Sequence, residues 1–186
     1  MSTPTPSDAS SPPAIQARIA WIGLGGNRPD SPKLLRCALE RLRSHPGVTG
    51  LIVSPFYLTE PVGPVRAQPW FLNAVAAVTT TLGPGALLRL LTRIETRSGR
   101  NRQREVRWGP RPLDLDLLFH GARRMRSKRL TIPHPRLHAR RFVLQPMADL
   151  APEWIHPESG KTIDTLLREV DDTARIVRWH GRARTP

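Results

Sequence analysis

The chain has 186 residues, of which 39% are hydrophobic, and a formal net charge of +14 from 29 Lys and Arg against 15 Asp and Glu. This size allows one domain with a substantial core, and the single cysteine, Cys37, excludes an internal disulfide framework and suits a reducing cytosol. No secretory signal or membrane-spanning apolar run is present, so we expect a cytoplasmic protein. The basic charge indicates an anionic partner, but it does not distinguish nucleic acid, a membrane surface and a polyphosphate.

Apolar periodicity and the positions of Pro and Gly predict alternating strands and helices in the first half of the chain. Pro is favoured at the first helical position, so Ser31-Pro32 and Pro84 each indicate a helix start. Pro55 places the middle of the second strand at an edge or a bulge, because Pro cannot donate to a ladder. The predicted elements are, in order, a disordered lead at 1–16, a strand at 18–24, a helix between 31 and 46, a strand at 51–59, a constrained loop at 60–70, a strand at 71–82 and a helix between 84 and 98.

A charged loop and a strand of alternating Leu and Asp dominate the second half of the chain. The predicted elements are a non-periodic loop at 100–111, a strand at 113–118, a turn at Gly121, a ribbon through 130–132, helices at 140–150 and 163–170, and loosely attached basic residues at 175–186. The order β-α-β-β-α-β is the ferredoxin-like pattern, an antiparallel sheet with two helices on one face, so we predict an α+β fold with C-terminal additions. We expect the domain to occupy residues 17–172 and a basic tail to occupy 173–186.

The strand at 113–118 carries two carboxylates at positions i and i+2, Asp114 and Asp116. Side chains alternate along a strand, so both point to one face, roughly 7 Å apart, while the Leu residues point into a core. Adjacent carboxylates repel unless a cation lies between them, and Mg²⁺ is commonly held by one or two carboxylates plus phosphate oxygens and water. The pair could instead face solvent and serve solubility, but Asp is disfavoured in strands, which favours a functional reason.

Positive charge flanks this strand on both sides in the sequence. Six arginines and one acid, Glu105, lie between Arg97 and Arg111, and eight Lys and Arg with no acid lie between Gly121 and Arg141. Cations around a carboxylate pair favour a phosphorylated substrate, although an arginine-rich solvated surface is the simpler explanation. The charge is also compatible with a nucleic-acid-binding module, for which the aromatic sheet pattern of RNA binders is lacking, and with a metal-dependent phosphate hydrolase.

Several short motifs follow one another in an order that a known family shares. The most specific is RWGPRPLDLDLL at 107–118, and the others are IGLGGN at 22–27, SPFY at 54–57, TEPVGP at 59–64, FLNA at 71–74, RIE at 93–95 and LTIPH at 130–134. Together they resemble the hydroxymethyl-dihydropterin pyrophosphokinase family. The resemblance extends from Ile19 to about Ala151.

This resemblance implies an enzyme that transfers pyrophosphate from ATP to the hydroxymethyl group of a dihydropterin in folate biosynthesis and releases AMP. It implies a three-layer αβα fold of the ferredoxin-like kind, with ATP as co-substrate and two Mg²⁺ ions between the Asp pair and the ATP phosphates. The partners are then small molecules, and we expect a monomer that binds neither nucleic acid nor a membrane.

The resemblance also assigns roles to residues by their position in the motifs. Arg100, Arg111, Asp114 and Asp116 would be catalytic, and both Asp residues would be metal ligands. The pterin would contact Thr59, Pro61, Val62, Phe71, Asn73 and Phe142, with the two Phe rings on its faces and the Asn amide on its edge. ATP would contact Glu95, Arg102, Trp108, Arg111, Leu117, Arg129, Thr131, His134 and Arg140. Simpler interpretations are that the two Phe residues belong to the core, that Asn73 caps a turn and that His134 is a loop residue.

Overall fold

The computed structural model describes residues 16–101, 106 and 108–181 of the chain. Its strands are Arg18–Gly26 (β1), Val48–Val53 (β2), Tyr57–Thr59 (β3), Phe71–Thr80 (β4), Asp114–His120 (β5), Met125–Arg126 (β6), Thr131–Ile132 (β7) and Ile176–Arg178 (β8). Its helices are Ser31–Arg43 (α1), Pro84–Arg97 (α2), Arg141–Ala148 (α3) and Ile163–Glu169 (α4), and a short 3₁₀ turn covers Leu137–Ala139. The described part of the chain is therefore a mixed α/β fold.

A six-stranded antiparallel sheet organises these elements. The strands follow the order β5-β1-β4-β3-β8, and β2 pairs with β4 further along the same edge that β3 uses. The strands β1 and β4 lie inside the sheet, and nearly all of their residues are buried. Their apolar runs of Ala, Val, Ile and Leu favour this central position. The short strands β6 and β7 form a separate two-stranded ribbon.

One apolar cluster packs helices α1 and α2 against a face of the sheet. Each helix has Pro in its first turn, as predicted, and buries one stripe of its surface. The sheet contributes Ile22 of β1 and the alternate residues Leu115 and Leu117 of β5, and the helices contribute mainly leucines. The Leu residues of the Asp-bearing strand thus point into a core, as their alternation predicted. Within the described residues no helix is both long and apolar enough to cross a bilayer.

A second apolar cluster is formed by the strand residues that alternate with those of the first cluster, and it includes residues of α3 and α4. Trp21 and Phe119 come from the sheet, and Trp154 packs against Trp21 with its ring centroid 5.3 Å away in an edge-on arrangement. The predicted helix at 140–150 is present as α3 and includes Pro146. A register shift between Trp21 and Ile22 of β1 makes both Leu118 and Phe119 members of this cluster.

The strand predicted at 51–59 is wrong in its continuity, since two strands, β2 and β3, occupy that region. The interruption falls at Ser54-Pro55, where Ser54 replaces regular pairing: its N–H donates to the Val75 carbonyl at 2.9 Å and its Oγ accepts from the Val75 N–H at 3.0 Å. Pro55 has no N–H to continue the ladder. Both strands pair with β4, so the break redirects the chain without leaving the sheet.

The expectation of loose attachment at 175–186 is wrong for its first part. Strand β8 pairs with β3 in an antiparallel register that sets Ile176 opposite Thr59. Trp179 then packs edge-on against Phe56 with 6.0 Å between ring centroids. The predicted lead at 1–16 and the end of the predicted tail lie outside the described residues, apart from Gln16, and the proposed domain limits stay a prediction.

Candidate active site

A pocket opens where β1, β4 and β5 run side by side. Gly25 of β1 pairs with Asn73 of β4 on one side and with Asp114 of β5 on the other. Paired residues of antiparallel strands point to the same face, so the Asn73 and Asp114 side chains flank a gap that Gly25 leaves open. Two residues earlier on β1, Gly23 pairs with Asp116 and also lines the pocket. The floor of the pocket is therefore backbone, with an amide on one side and two carboxylates on the other.

Asp114 is the carboxylate that cations hold most closely. Its Oδ2 accepts a hydrogen bond from Arg111 Nη1 at 2.8 Å, and its Oδ1 accepts one from Arg100 Nη1. Burial by itself would raise the pKa of Asp114, but the charges and hydrogen bonds of the two arginines outweigh it and lower the pKa below its usual range. Asp114 is therefore ionised at neutral pH.

Arg100 is itself buried and joins two carboxylates. Its Nη1 donates to Glu95 as well as to Asp114, and Glu95 Oε1 also accepts from the Leu115 N–H at 2.8 Å. Glu95 is 1% exposed, so its side chain lies behind Arg100 and holds both that residue and the start of β5. The predicted contact between Glu95 and ATP stays a prediction.

Asp116 is the less compensated carboxylate of the pair. Its Oδ2 lies 3.7 Å from Arg140 Nη1 and 4.0 Å from His134 Nε2. Burial and the charge of Asp114 raise the pKa of Asp116 to about 6, although the charge of Arg140 acts in the opposite direction. Burial, with the charges of Arg140 and Arg136, lowers the pKa of His134 to about 4, so this imidazole is neutral at neutral pH.

The raised pKa of Asp116 predicts how stability depends on pH. A carboxyl whose pKa rises on folding contributes stability below its unfolded pKa and loses that contribution as the pH rises through the folded value. As the pH rises from the ordinary value of 3.8 to about 6, the free energy of unfolding of the unaltered protein should therefore fall relative to that of an Asp116→Asn variant. Urea unfolding at several pH values measures this difference, and a ¹³C NMR titration of the carboxyl group checks the midpoint. A midpoint at or below the ordinary value would contradict the prediction.

The opposite side of the pocket combines an amide with two aromatic rings. Asn73 Nδ2 donates to Thr59 Oγ1 at 2.7 Å, and Asn73 Oδ1 lies so close above Gly25 that a Cβ on the glycine would be 2.6 Å from it. Phe71 and Phe142 are half-buried and line the pocket, so neither is enclosed entirely in a core. A flat ligand with donors and acceptors along its edge suits this side.

Side-chain amides tie together the two loops that border the pocket. Asn27 Nδ2 donates to Gln68 Oε1 at 3.0 Å and to the Pro69 carbonyl at 3.1 Å, while Asn27 Oδ1 accepts from the Arg111 N–H at 2.8 Å. Gln68 Nε2 donates to the Trp108 carbonyl at 2.9 Å. These hydrogen bonds therefore fix the position of the loop at 60–70 relative to the residues at 108–111 that precede β5.

Sequence reasoning assigned no role in the site to Gly23, Gly25, Asn27 or Gln68, although all four shape or brace the pocket. The glycines had a readable signal, because Gly at i and i+2 of a strand removes two side chains from one face by the same alternation that paired the Asp residues. The two amides had no such signal, since these partners are 40 or 41 residues away along the chain.

The structure gathers most of the predicted site residues at this pocket. Those that line it are Thr59, Val62, Phe71, Asn73, Trp108, Arg111, Asp114, Asp116, Arg140 and Phe142. Arg100 and His134 lie next to the Asp pair. Pro61, Glu95, Leu117, Arg129 and Thr131 do not line it: Leu117 is in the core under the sheet, and Arg129 is exposed near the β6–β7 ribbon. Arg102 lies outside the described residues.

The Asp pair has the chemistry for a hard divalent cation when further ligands come from a substrate. Among the described residues, no group of three or more His, Cys, Asp or Glu side chains is arranged to hold a metal ion. Mg²⁺ usually keeps several waters and binds one or two carboxylates plus phosphate oxygens, so two carboxylates facing a cationic pocket match that pattern. Arg140 Nη1 and His134 Nε2 lie 3.7 Å and 4.0 Å from Asp116 Oδ2, beyond hydrogen-bond distance, and leave the Asp116 oxygens accessible to such an ion.

The family comparison identifies the region that contains this pocket. A protein-family profile described as 7,8-dihydro-6-hydroxymethylpterin-pyrophosphokinase (HPPK) matches residues 21–152. All of the residues that line the pocket lie within that range.

Curated relatives with that activity in their names match most of the chain. The 2-amino-4-hydroxy-6-hydroxymethyldihydropteridine pyrophosphokinase of Synechocystis sp. is 42% identical over 159 residues, which cover 86% of this chain and 80% of the relative. The Bacillus subtilis protein of the same name is 44% identical over 132 residues, which cover 71% and 77%. The folate synthesis bifunctional protein of Arabidopsis thaliana is 41% identical over 165 residues, but this chain covers 26% of its length.

Solved structures show the same fold at low sequence identity. A Plasmodium falciparum HPPK-DHPS structure with pteroate matches with a TM-score of 0.66 and 16% identity, over 85% of this chain and 44% of the solved chain. The wild-type protein with pterin and p-hydroxybenzoate matches with a TM-score of 0.63 and 17% identity, over 83% and 43%. This chain spans less than half the length of those solved chains, and the likeness concerns the fold.

Proposed function

The chain belongs to the 7,8-dihydro-6-hydroxymethylpterin-pyrophosphokinase family and is an ATP-dependent pyrophosphokinase, and we propose that it uses the pocket beside β5 to transfer pyrophosphate to a hydroxymethyl-dihydropterin. The observation that carries this proposal is the row Asn73–Gly25–Asp114 across three paired strands. In this proposal, the row would set a site for a flat, hydrogen-bonding ring beside a site for phosphates. AMP is the expected second product, formed by attack of the hydroxymethyl oxygen on the β-phosphorus.

The amide side of the row would bind the pterin. The buried Asn73 amide has an acceptor and a donor in one plane, which matches the alternating donors and acceptors on the edge of a pterin. Its hydrogen bond with Thr59 fixes the amide orientation, so the Oδ1 atom is presented to the ligand. Phe71 and Phe142 would contact the two faces of the ring, and Val62 would cover it from the exposed loop.

The carboxylate side of the row would bind the triphosphate. Arg111 and Arg140 line the pocket, and Arg100 lies behind Asp114, so three guanidinium groups can neutralise charge that develops on transferred phosphoryl oxygens. The pyrophosphoryl group needs positioning and charge neutralisation more than a strong protein base. The neutral His134 suits a hydrogen bond to ATP more than an added positive charge.

Asp114 and Asp116 would hold Mg²⁺, and we propose two ions, the number that the family resemblance implies. Bound Mg²⁺ would neutralise phosphate charge and acidify the hydroxymethyl group. The chain's own residues then orient the reactants: the Asn73 amide fixes the ring, and the arginines fix the phosphates. Because β1 has no side chain at Gly25, the two substrates can approach each other across the strand.

A coupled assay that follows AMP tests this function. The unaltered protein should release AMP from ATP only when both hydroxymethyl-dihydropterin and Mg²⁺ are present, with one pyrophosphorylated pterin formed per AMP. AMP release at the same rate without pterin would instead indicate a phosphate hydrolase. RNA affinity without any turnover of the two substrates would favour a nucleic-acid-binding module.

Replacing Gly25 by Ala should weaken pterin binding selectively. The new Cβ would lie 2.6 Å from Asn73 Oδ1, so the buried amide has to shift and its hydrogen bond with Thr59 is perturbed. We expect the KM for pterin to rise about tenfold or more, since misaligned buried polar groups cost about 1–3 kcal/mol. Isothermal titration with pterin and an unreactive ATP analogue measures the effect on each ligand.

Gly85→Ala is the matched control for that variant. Gly85 lies in the first turn of α2, and its added Cβ would meet only Arg89 Nη1, at 3.6 Å. Ala is a better helix former than Gly, so the control should keep pterin affinity and fold at least as stably as the unaltered protein. Equal pterin affinity in Gly25→Ala and Gly85→Ala would contradict the proposed role of the gap.

The remaining expectations extend this proposal. We propose a three-layer αβα arrangement of the ferredoxin-like kind. The strand order supports it, as do the two apolar clusters formed by alternate strand residues. The cytoplasmic location and the monomeric state follow from sequence reasoning and stay predictions. The partners we propose are ATP and the pterin, without nucleic acid or membrane.

A further inference from the structure

The last described strand, β8, lies beyond the residues that the family profile matches, yet it reaches the border of the pocket. The profile ends at residue 152, whereas β8 covers Ile176–Arg178. It pairs with β3, whose final residue, Thr59, lines the pocket and holds Asn73. Arg175 directly precedes β8 and therefore lies opposite the start of the proline-rich loop at 60–70.

Arg175 and Glu60 are joined through both main chain and side chain. Arg175 Nε donates to Glu60 Oε1 at 2.6 Å, and the Arg175 N–H donates to Glu60 Oε2 at 2.9 Å. The Glu60 N–H donates in return to the Arg175 carbonyl at 3.1 Å, which extends the β3–β8 pairing by one residue. Glu60 also lines the pocket, so this contact fixes part of the pocket wall.

The same arginine contacts the other end of the loop. Its guanidinium carbon lies 5.0 Å from the centroid of the Trp70 ring, which is within the range of a cation–π contact. Glu60 is the first residue of the loop and Trp70 is the last, and Phe71 follows immediately at the start of β4. One side chain therefore bridges the two ends of a loop whose middle, at Val62 and Gln68, lines the pocket.

We propose that Arg175 is a positioning residue that fixes both ends of the loop at 60–70 and thereby sets the affinity of the pocket for its pterin. This inference rests on the proposed function for the identity of the ligand. Arg175 does not touch the ligand; it acts through Glu60 and Trp70. Phe71 and Val62 keep their places against the ring because the loop that joins them has both ends held.

A surface ion pair without such a role is the simpler account of the contact. The Arg175 side chain is 65% exposed, and exposed pairs usually contribute little to global stability. A positioning role and a surface pair differ in what they change: the first alters the loop and one substrate, and the second alters neither. The test therefore measures the loop directly, without relying on turnover.

Arg175→Ala is compared with Arg178→Ala, which removes the same charge from the same end of the chain. Arg178 lies opposite Tyr57, at the far end of β8 from Arg175, and so away from the loop. Hydrogen exchange followed by mass spectrometry reports the backbone amides of the non-proline residues in 61–69, and steady-state kinetics give kcat and the KM of each substrate. Arg175→Lys is a third variant, because Lys keeps the charge but not the planar group that reaches both partners.

In Arg175→Ala we expect exchange in residues 61–69 to speed up and the pterin KM to rise, each by about three- to tenfold, as for loss of an ion pair and a cation–π contact. The kcat and the KM for ATP should stay within about twofold of the unaltered values, the scale of a surface change. Arg178→Ala should leave all four quantities unchanged, and Arg175→Lys should give intermediate values.

Unchanged exchange in Arg175→Ala would overturn the anchoring of the loop. Faster exchange with an unchanged pterin KM would overturn the link between the loop and the substrate. Equal effects in Arg178→Ala would show that net charge, not the contact, is responsible. If the unaltered protein has no turnover with pterin and ATP, the proposed function fails, while the exchange comparison still decides whether Arg175 holds the loop.

Discussion

Asp116→Asn is expected to lower kcat about a thousandfold while the protein keeps its fold, because in the proposed function the change removes a charged oxygen ligand of Mg²⁺ beside the triphosphate. Among the described residues, the Asp116 carboxylate has Arg140 at 3.7 Å and His134 at 4.0 Å, both beyond hydrogen-bond distance, so a neutral amide of the same shape breaks no short hydrogen bond with them. The AMP-release assay measures the loss, and circular dichroism with urea unfolding checks the fold.

The same variant should also respond differently to Mg²⁺. If Asp116 is a ligand, the dependence of the residual rate on Mg²⁺ should shift to higher concentration, whereas a general loss of activity would leave that dependence unchanged. Asp164→Asn is a suitable control, since Asp164 lies on α4 and pairs with Arg168 on the surface. Near-normal turnover by a folded Asp116→Asn variant would refute the metal assignment.

Arg100→Met is expected to reduce the free energy of unfolding by about 3–5 kcal/mol, the range for removing one partner of a buried ion pair. Arg100 has 6% of its side chain exposed and lies between the buried Glu95, whose side chain is 2% exposed, and Asp114. Without the guanidinium, the carboxylates of Glu95 and Asp114 lose their shared partner. Among the ion pairs of the described residues, Arg111 is then the remaining partner of Asp114. Urea unfolding measures the change.

A double variant separates lost charge compensation from lost packing. Adding Glu95→Gln to Arg100→Met removes one of the two carboxylates, so the pair should be less destabilised than the sum of the single changes. Arg97→Met, an exposed change in the last turn of α2, should cost less than about 1 kcal/mol. A cost for Arg100→Met as small as that of Arg97→Met would show that the buried network does not stabilise the fold.

Local patterns in the sequence predicted the elements that carry the site. The i, i+2 spacing of Asp114 and Asp116 placed both carboxylates on one face of β5, and both line the pocket. The leucines that alternate with them point into the core as expected. These predictions succeeded because the alternation of a strand depends only on neighbouring residues.

Features that depend on distant residues were not predictable in this way. Pro55 was expected to disturb one strand, but the division into β2 and β3 also needs Ser54 to bond to Val75 across the sheet. The basic end of the chain looked unattached because β8 has three residues, two of them exposed, and gains its order from pairing with β3. The role of Asn27 depends on partners from two loops that the fold brings together.

The row Asn73–Gly25–Asp114 has a consequence for how the two substrates are spaced. Its members sit on three strands joined by main-chain hydrogen bonds, and neighbouring strands lie about 4.8 Å apart. The distance between the proposed ring site at Asn73 and the proposed phosphate site at Asp114 would thus be set by the strand separation. In the proposed reaction, the separation between the hydroxymethyl oxygen and the β-phosphorus would depend on the spacing of the strands in the sheet.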